Sequence, residues 1–389
     1  SPQLRFEGFT DDWEERKLGD VGDTFTGLTG KTKEDFGHGS AKFVTYVNVF
    51  QNPIATLDQL DAVEIDEKQN QVQKGDVFFT TSSETPEEVG MSSVWTYDTK
   101  NVYLNSFTFG YRPRVSFDLN YMASMLRSPS IRKKITFLAQ GISRYNISKT
   151  KMLEIEIPAP NLSEQKKIGS FFKQLDDTIA LHQRKLDLLK EQKKGYLQKM
   201  FPKNGAKVPE LRFAGFADDW EERKLSDVAN HRGGTAIEKY FDKDGVYKVI
   251  SIGSYGLNSQ YVDQNIRAIS NEITDGRVVN SGELTMVLND KTANGTIIGR
   301  TLLVEKDNEY VINQRTEIIS PKENFDSNFA YTILNGPFRE KVKRIVQGGT
   351  QIYVNYPAVS NLNLELPKIE EQQKIGSFFK QLDDTIALH

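Results

Sequence analysis

A basic stretch between Arg127 and Lys151 is the segment of this sequence best suited to binding a ligand. It carries seven Lys and Arg residues and no Asp or Glu in 25 positions. The stretch surrounds the segment GISRYNIS at 141–148, which offers Arg144, Tyr145 and Asn146. Arg can clamp phosphate groups or guanine edges, and Asn can pair with adenine edges. A solvated helix face followed by a loop would explain the charge run alone, but the loop chemistry favours contact with nucleic acid.

A related stretch occurs later in the chain, where basic residues near 339–344 precede GGTQIYVNY at 348–356. Two Gly-rich segments, TGLTGKTK and HRGGTAIEK, add cations that could reach backbone phosphates, although ordinary turns explain these segments equally well. The sequence therefore predicts a distributed set of DNA-binding residues. They are Lys31, Lys33, Arg132, Lys133, Lys134, Ser143, Arg144, Tyr145, Asn146, Lys149, Lys151, Arg232, Lys239, Lys341, Lys343, Arg344, Gln351, Tyr353 and Asn355.

The sequence lacks the motifs of several enzyme classes. GLTGKT at 27–32 does not have Walker A spacing, since Phe25 stands where the first glycine is required. No GxGxxG, no HExxH and no Asn-Pro-Pro-aromatic or Asp-Pro-Pro-aromatic tetrapeptide is found. The chain has no cysteine, which excludes disulfides and thiolate metal sites. We expect no catalytic residue, no bound metal and no bound cofactor in this chain.

An internal repeat determines how these segments are arranged. Residues 163–182 recur at 370–389 with 18 of 20 positions identical, and residues 2–21 recur at 209–228 with 16 of 20 identical. Both offsets are 207, whereas the residues between the copied segments have diverged almost completely. The chain therefore consists of two units that share a frame and carry different inserts.

The copied segment 163–182 predicts a long helix that continues to about Phe201, with apolar residues on alternating three- and four-residue steps. A single helix cannot bury such a face alone, so we expect the two copies to pack as an antiparallel coiled coil. His182 and Lys193 interrupt the seam, and we interpret them as residues that specify register rather than as chemical groups. The predicted packing residues are Ile168, Phe172, Leu175, Ile179, Leu186, Leu189, Ile375, Phe379, Leu382 and Ile386.

Each insert shows β-rich runs followed by one amphipathic helix, near 120–140 and 328–347, which predicts two mixed α/β (α+β) domains. Strands are expected near 77–83, 92–97 and 107–113, and near 247–252, 283–288, 296–304 and 310–319. Trp13 and Trp220 are expected to seat the first strand of each unit in its core. The predicted boundaries are 1–160 for the first domain, 161–203 for the first spacer helix, 204–367 for the second domain and 368–389 for a second, shorter spacer helix.

This arrangement resembles the specificity subunit of type I restriction-modification enzymes, over the whole chain. The resemblance rests on Trp-x4-Leu-x2-Val at the start of each unit (Trp13, Leu18, Val21 and Trp220, Leu225, Val228), on Glu164-Gln165 and Glu371-Gln372, and on GISRYNIS. It implies two target-recognition domains that each read half of a split site in double-stranded DNA, held apart by paired helices. It also implies a non-catalytic subunit that serves phage defence with two methyltransferase and two restriction/translocase partners, which would use S-adenosylmethionine, ATP and Mg²⁺. The second helix copy stops at His389, the counterpart of His182, which we interpret either as a truncation or as a naturally short form.

Two other classes of function compete with this interpretation. The net charge of −3 excludes a uniformly basic nucleic-acid binder, so a structural adaptor that binds only proteins is the main alternative. An enzyme acting alone is disfavoured by the missing motifs. No apolar run reaches the roughly 20 residues of a membrane span and no signal peptide is visible, so we expect a cytoplasmic protein without a membrane partner.

Overall fold

The computed structural model describes residues 2–203, 205–291 and 293–389. The chain divides into two compact units, Ser1–Leu181 and His182–His389, and the division falls inside one long helix. No helix in the described residues is both long and apolar enough to cross a membrane.

The first unit contains short strands, short helices and the beginning of the long helix. The strands are β1 (Glu14–Lys17), β2 (Gly22–Thr26), β3 (Phe36–Val44), β4 (Leu60–Val63), β5 (Val77–Thr80), β6 (Ser82–Ser83), β7 (Ser92–Val94), β8 (Val102–Leu104), β9 (Thr108–Pro113), β10 (Tyr145–Asn146) and β11 (Glu156–Ala159). The helices are α1 (Leu18–Val21), α2 (Tyr46–Gln51), α3 (Leu119–Leu126), α4 (Pro129–Phe137), α5 (Lys149–Leu153) and α6 (Leu162–Lys199).

The second unit begins within α6 and follows a similar order of elements. Its strands are β12 (Glu221–Lys224), β13 (Ala229–Gly233), β14 (Tyr247–Ile250), β15 (Arg267–Ala268), β16 (Val278–Val279), β17 (Leu284–Val287), β18 (Asn289–Asp290), β19 (Thr301–Leu303), β20 (Tyr310–Ile312), β21 (Thr316–Pro321), β22 (Gln347–Gly348), β23 (Ile352–Tyr353) and β24 (Asn363–Leu366). Its helices are α7 (Leu225–Val228), α8 (Glu272–Asp275), α9 (Ser327–Asn335), α10 (Pro337–Arg344), α11 (Tyr356–Ser360) and α12 (Ile369–Ala387).

The main sheets of the two units have matching topology. The first unit has an antiparallel sheet in the order β2-β9-β5-β7, and the second has β13-β21-β17-β19. A further sheet in each unit, β4-β3-β8 and β15-β14-β20-β16, contains one parallel pair. Each unit is therefore a mixed α/β domain, as the sequence predicted.

The copied segments at the two ends of each unit lie side by side. β1 pairs with β11, and β12 pairs with β24, so the opening strand lies beside the strand that precedes the long helix. In the first unit, Arg5 donates from Nε and one NH₂ group to both carboxylate oxygens of Glu164, at 2.7 and 2.8 Å. Arg212 and Glu371 repeat this pair in the second unit, at 2.7 and 2.8 Å. These bidentate pairs join each opening segment to its helix, which explains why the two ends are copied together while the insert varies.

The Glu-Gln pairs and the glycine that follows each of them hold the helix against the insert. The Gln165 side chain accepts a hydrogen bond from the Asp118 N–H and donates to the Pro160 carbonyl, and Gln372 makes equivalent bonds. A Cβ on Gly376 would lie 2.6 Å from the Phe329 nitrogen and 2.7 Å from Asp326 Oδ1. Only glycine permits this close approach of α12 to the first turn of α9.

Four predicted elements, two helices and two strand runs, are corrected by the structure. Each single amphipathic helix is in fact two helices, α3 and α4 or α9 and α10, because Pro129 and Pro337 start new helices. The strand predicted at 296–304 is confined to β19, and the run at 310–319 is divided into β20 and β21 by a turn in which Arg315 has a φ of +65°.

The tryptophans at the start of the two units, Trp13 and Trp220, differ in their burial. Trp220 is buried in the core of the second unit, as expected, beside Phe201, whose ring centroid is 6.0 Å away. Trp13, its counterpart, is only partly buried. The same residue type at the same repeat position thus has different surroundings in the two units.

The long helices form where the sequence predicted them, and α12 packs antiparallel to the last third of α6 within the second unit. Ile375 and Phe379 are buried, and Leu186, Leu189, Leu382 and Ile386 are partly buried. Lys193 Nζ lies 2.5 Å from Asp383 Oδ1, which supports its interpretation as a register residue. The prediction is wrong for Phe172, Leu175 and Ile179, which are exposed because no apolar surface of the described chain covers them.

Candidate nucleic-acid interface

A short hairpin follows α4 in the first unit and carries the GISRYNIS segment. The backbone N–H groups of Gln140 and Asn146 donate to each other's carbonyls, at 2.9 and 2.8 Å. β10 then pairs with β6, and the Ile147 N–H donates to the Thr81 carbonyl at 3.0 Å. Gly141 has a φ of +137°, and a Cβ there would overlap the Arg144 carbonyl oxygen. This glycine is therefore required by the tight turn that presents the loop.

The second unit builds the same hairpin 207 residues later. Gln347 and Gly348 pair with Tyr353 and Ile352, and β23 also pairs with β18. Gly348 has a φ of +104°, and a Cβ there would overlap the Gln351 carbonyl oxygen. The Val354 N–H donates to the Leu288 carbonyl at 2.9 Å, which repeats the Ile147 bond of the first unit.

The shared register aligns the two hairpins residue by residue. Arg144 corresponds to Gln351, Tyr145 to Ile352, and Asn146 to Tyr353. Side chains of a strand alternate between its two faces, and here one face points into the core. Tyr145 packs against the core of the first unit and Ile352 is buried, so we assign Tyr145 to packing rather than to reading bases.

The exposed positions of the hairpins carry different chemistry. Ser143, Arg144 and Asn146 are exposed in the first unit, and the tip residue Ile142 is 95% exposed. In the second unit Gln351, Tyr353 and Asn355 are exposed. One hairpin thus offers a hydroxyl, a cation and an amide, whereas the other offers two amides and a phenol.

Arg144 lies close to a partly buried tyrosine of α2. Burial and the nearby Glu88 raise the pKa of Tyr46, whereas the positive charge of Arg144 lowers it. The Tyr46 hydroxyl donates to the Ser82 carbonyl at 3.0 Å, and its ring stacks on Phe50 with centroids 5.9 Å apart. β6 and the start of α2 therefore flank the hairpin, although the sequence pattern did not predict their position.

Arg132, predicted as a DNA contact, has an internal role in the structure. Its guanidinium donates to the carbonyls of Glu87, Val89 and Gly90 at 2.7, 2.6 and 2.7 Å, and burial lowers its pKa. Its repeat counterpart Arg339 donates to the carbonyls of Gly295, Thr296 and Ile298, at 2.8 to 2.9 Å. Burial lowers the pKa of Arg339 to about 10. We call the two side chains loop anchors, and the arginines at equivalent repeat positions were the sequence signal that could have identified them.

Several other predicted cations are also engaged within the chain. Lys31 pairs with Asp66 at 3.0 Å and Arg232 with Glu283 at 2.6 Å. The remaining internal contacts are Lys134 Nζ to the Glu156 carbonyl at 2.8 Å, Lys151 to Glu154 at 3.2 Å, Lys341 to Glu365 at 2.8 Å, Lys343 to Glu340 at 2.8 Å, and Lys239 over the ring of Tyr240 at 4.8 Å. Counting charges along the sequence thus overstates the positive surface that is open to a ligand.

The cations left exposed are fewer and lie on short elements. Lys133 on α4, Arg344 at the end of α10 and Lys33 in the Gly-rich loop are exposed, and Lys149 is half-buried. Arg127 belongs to the basic run but is held by the Ser92, Val49 and Phe50 carbonyls at 2.8 to 3.0 Å. These exposed cations thus lie on separate short elements and do not form one continuous basic run.

Strand β13 of the second unit lies beside Tyr356, which follows the second hairpin. The His231 ring lies 4.5 Å from the Tyr356 ring, and its Nδ1 lies 2.6 Å from Glu317 Oε1. Burial raises the pKa of Glu317, and the His231 contact acts in the opposite direction. The structure thus brings the HRGGTAIEK segment next to the second hairpin.

The family model for the type I restriction modification DNA specificity domain matches residues 10–191 and 217–389. The chain belongs to this family. The two matched stretches contain the two hairpins, one in each unit.

Relatives and solved structures agree with this assignment. The chain is 26% identical over 273 residues to the type I restriction enzyme MjaVIII specificity subunit of Methanocaldococcus jannaschii, covering 67% of this chain and 63% of that protein. It is 22% identical over 413 residues to the putative MjaX specificity subunit of the same organism, covering 97% of this chain and 88% of that protein. The S subunit structure from M. genitalium covers 100% of this chain and 93% of its own, with a TM-score of 0.60 at 14% identity. A second solved structure comes from work on the assembly and conformational transition of the type I restriction-modification system. Its matching chain also aligns with 100% of this chain and over 93% of its own length, with a TM-score of 0.54 at 17% identity. These likenesses show a shared fold.

Proposed function

We propose that this chain is the DNA-reading specificity subunit of a type I restriction-modification complex, and that each unit reads one half of a bipartite double-stranded site through its hairpin. The observation that carries the proposal is the pair of hairpins. They have the same backbone register and the same required glycine, but unlike exposed side chains. Two domains that recognise different short DNA sequences require this combination of one hairpin backbone and different exposed side chains.

The exposed side chains of the two hairpins suggest how the two halves of the DNA site differ. Arg144 is suited to a bidentate contact with O6 and N7 of guanine, whereas Gln351 is suited to N6 and N7 of adenine. Lys133 and Arg344 would hold phosphates, which position the protein without carrying sequence information. The loop anchors Arg132 and Arg339 would act indirectly, by holding the neighbouring loop in place.

The chain itself would not be catalytic. It would assemble with two methyltransferase subunits, which use S-adenosylmethionine, and with two restriction/translocase subunits, which use ATP and Mg²⁺. Its relatives from Methanocaldococcus jannaschii are named specificity subunits, which supports this role. The missing methyltransferase and nucleotide-binding motifs in the sequence agree with it.

The decisive experiment exchanges the tip of one hairpin. Replacing Ile142, Ser143 and Arg144 by the Gly-Thr-Gln of positions 349–351 converts the first tip into the second without altering either required glycine. The chain is expressed with its methyltransferase partners, and the methylated motif is mapped across the genome. We expect one half of the motif to change and the other to stay as it was.

Two point variants separate base reading from phosphate binding. Arg144→Ala should cost about 1 to 3 kcal/mol of binding to the cognate site and relax preference at one base pair. Lys133→Ala should weaken all duplexes alike and lower the slope of log affinity against log salt by about one. A tip exchange that changes both halves, or neither, would contradict the proposal. No measurable binding of any duplex would favour the structural adaptor, which binds only proteins.

A further inference from the structure

Three large apolar side chains are exposed around the first hairpin. Ile142 at the hairpin tip is 95% exposed, Phe137 at the end of α4 is 87% exposed, and Phe107 is 64% exposed. Phe107 lies beside the hairpin because Thr81 joins them. The Thr81 N–H donates to the Phe107 carbonyl at 3.2 Å, and the Ile147 N–H donates to the Thr81 carbonyl. Single exposed apolar residues are common on protein surfaces, but several around one loop mark a contact surface. We call Phe107, Phe137 and Ile142 the apolar set.

The second unit has an arginine at the position of Phe107. Its Leu288 N–H donates to the Arg315 carbonyl at 2.9 Å, and the Val354 N–H donates to the Leu288 carbonyl at 2.9 Å. These two bonds repeat the two that join Phe107 to the first hairpin, so Arg315 and Phe107 are equivalent. Arg315 is exposed, as Phe107 is.

The other two positions of the apolar set also differ between the units. The repeat aligns Phe137 with Arg344, which is exposed, and Ile142 with Gly349. A Cβ built on Gly349 would meet no atom of the described residues within 4 Å, so packing does not require a glycine there. The same backbone thus carries three apolar side chains in the first unit and two arginines in the second.

The surroundings of the apolar set favour DNA as its ligand. Lys133 is exposed one helical turn before Phe137 on α4, and the run from Arg127 to Lys151 contains no Asp or Glu. Duplex DNA presents phosphates beside the apolar methyl groups of thymine, which lie in the major groove. Two identical methyltransferase subunits would instead meet equivalent surfaces on the two units and would require the same residues on both. The residues differ, as two DNA half-sites do.

We propose that Ile142 reads the C5 methyl group of a thymine in the first half-site, and that Phe107 and Phe137 extend this apolar contact beyond the tip. At the equivalent places in the second half-site, Arg315 and Arg344 hold phosphates. The inference rests on the proposed function, since it names the chemical group that the first hairpin recognises.

Replacing thymine by uracil tests this contact directly, because uracil lacks only the methyl group and keeps the hydrogen-bonding edge of thymine. The chain is assembled with its methyltransferase partners, and binding to a fluorescein-labelled duplex that contains the mapped motif is followed by anisotropy. Uracil replaces every thymine of the first half-site, which the tip exchange identifies. Binding should weaken about fourfold for each contacted methyl group.

A variant of the tip shows whether Ile142 senses the methyl group. Ile142→Ser should no longer distinguish the thymine duplex from the uracil duplex, whereas its response to uracil in the second half-site should equal that of the wild type. The control Leu4→Ser changes a side chain that is 91% exposed in the opening segment, and it should keep the full discrimination. Ile142 is itself almost fully exposed, so its replacement should not impair folding, which thermal unfolding checks.

Salt dependence separates the apolar contact from the phosphate contacts. Phe107→Ser should weaken binding by the same factor at every salt concentration, because an apolar contact releases no counterions. Arg315→Asn should instead lower the slope of log affinity against log salt by about one. Asparagine tolerates the φ of +65° at this position.

The possible failures have different meanings. Equal binding of the thymine and uracil duplexes by the wild type, with half-site specificity retained, would overturn this inference but not the proposed function. Discrimination that survives Ile142→Ser would also overturn it. So would loss of the methyltransferase partners from the Ile142→Ser complex, because a protein and not DNA would then cover the tip. Failure of the wild-type complex to bind any duplex would overturn the proposed function, and this inference with it.

Discussion

Arg132 and Lys133 are neighbours in sequence, but replacing them should change different properties: protein stability for Arg132 and DNA binding for Lys133. Arg132 donates three hydrogen bonds to the carbonyls of residues 87–90, whereas Lys133 is exposed on α4. Arg132→Ala should therefore destabilise the first unit without removing a DNA contact. Lys133→Ala should weaken DNA binding without changing stability.

The size of the first effect follows from the lost hydrogen bonds. A hydrogen bond to a charged group contributes about 1.5 to 3 kcal/mol, but three bonds made by one guanidinium are not additive, and water can solvate part of the freed loop. We therefore expect a loss of about 2 to 3 kcal/mol in the free energy of unfolding. In a domain of this size, that loss lowers the melting temperature by roughly 4 to 12 °C. Arg339→Ala should have a similar effect on the second unit, because its three bonds are equivalent.

Thermal unfolding and DNA binding at several salt concentrations measure the two effects separately. For Arg132→Ala, assayed below its melting temperature, the slope of log affinity against log salt should equal that of the wild type. For Lys133→Ala the slope should fall by about one. The assignment of Arg132 as a loop anchor would be refuted if Arg132→Ala unfolded like the wild type and lowered the salt slope as Lys133→Ala does.

Three further predictions follow from the frame and the hairpins. Gly141→Ala should strain the first hairpin by about 1 to 3 kcal/mol and impair recognition of one half-site only, which methylation mapping would reveal as a change in one half of the motif. The hydrogen bond from Arg5 lowers the pKa of Glu164 in the folded protein. The ionised Glu164 therefore stabilises the fold fully above the unfolded glutamate pKa of about 4.3, and this stabilisation is lost as the pH falls through the lower pKa of the folded state. Glu164→Gln should therefore make stability less dependent on pH below about 4.3, as urea unfolding at a series of pH values would show, and an unchanged dependence would exclude this carboxylate as the cause. Gly376→Ala should destabilise the second unit, because its Cβ meets backbone at 2.6 Å, whereas the control Gly195→Ala, with nothing within 4 Å, should stabilise α6 by about 1 kcal/mol; equal melting temperatures would contradict this contrast.

Much of the architecture could be predicted from the repeat. Identical segments at a constant offset predict similar local structure, because the same residues have the same propensities and the same neighbours along the chain. The two mixed α/β units and the long helix were therefore predicted correctly. The segments that form the hairpins were also singled out as candidate loops, since glycine followed by polar residues after a basic helix is a local pattern.

Burial and pairing depended on residues that are distant in sequence. The charge run predicted Arg132 as a DNA contact, but the carbonyls it binds lie more than 40 positions earlier in the chain. The face of Phe172 and that of Phe379 have the same sequence, yet one is exposed and the other is buried. The sequence by itself determined where the long helix and the repeated frame segments lie, because those choices depend on local propensity and periodicity. Only the tertiary structure decided which cations remain exposed and which apolar face is covered, because both depend on packing partners that no local pattern contains.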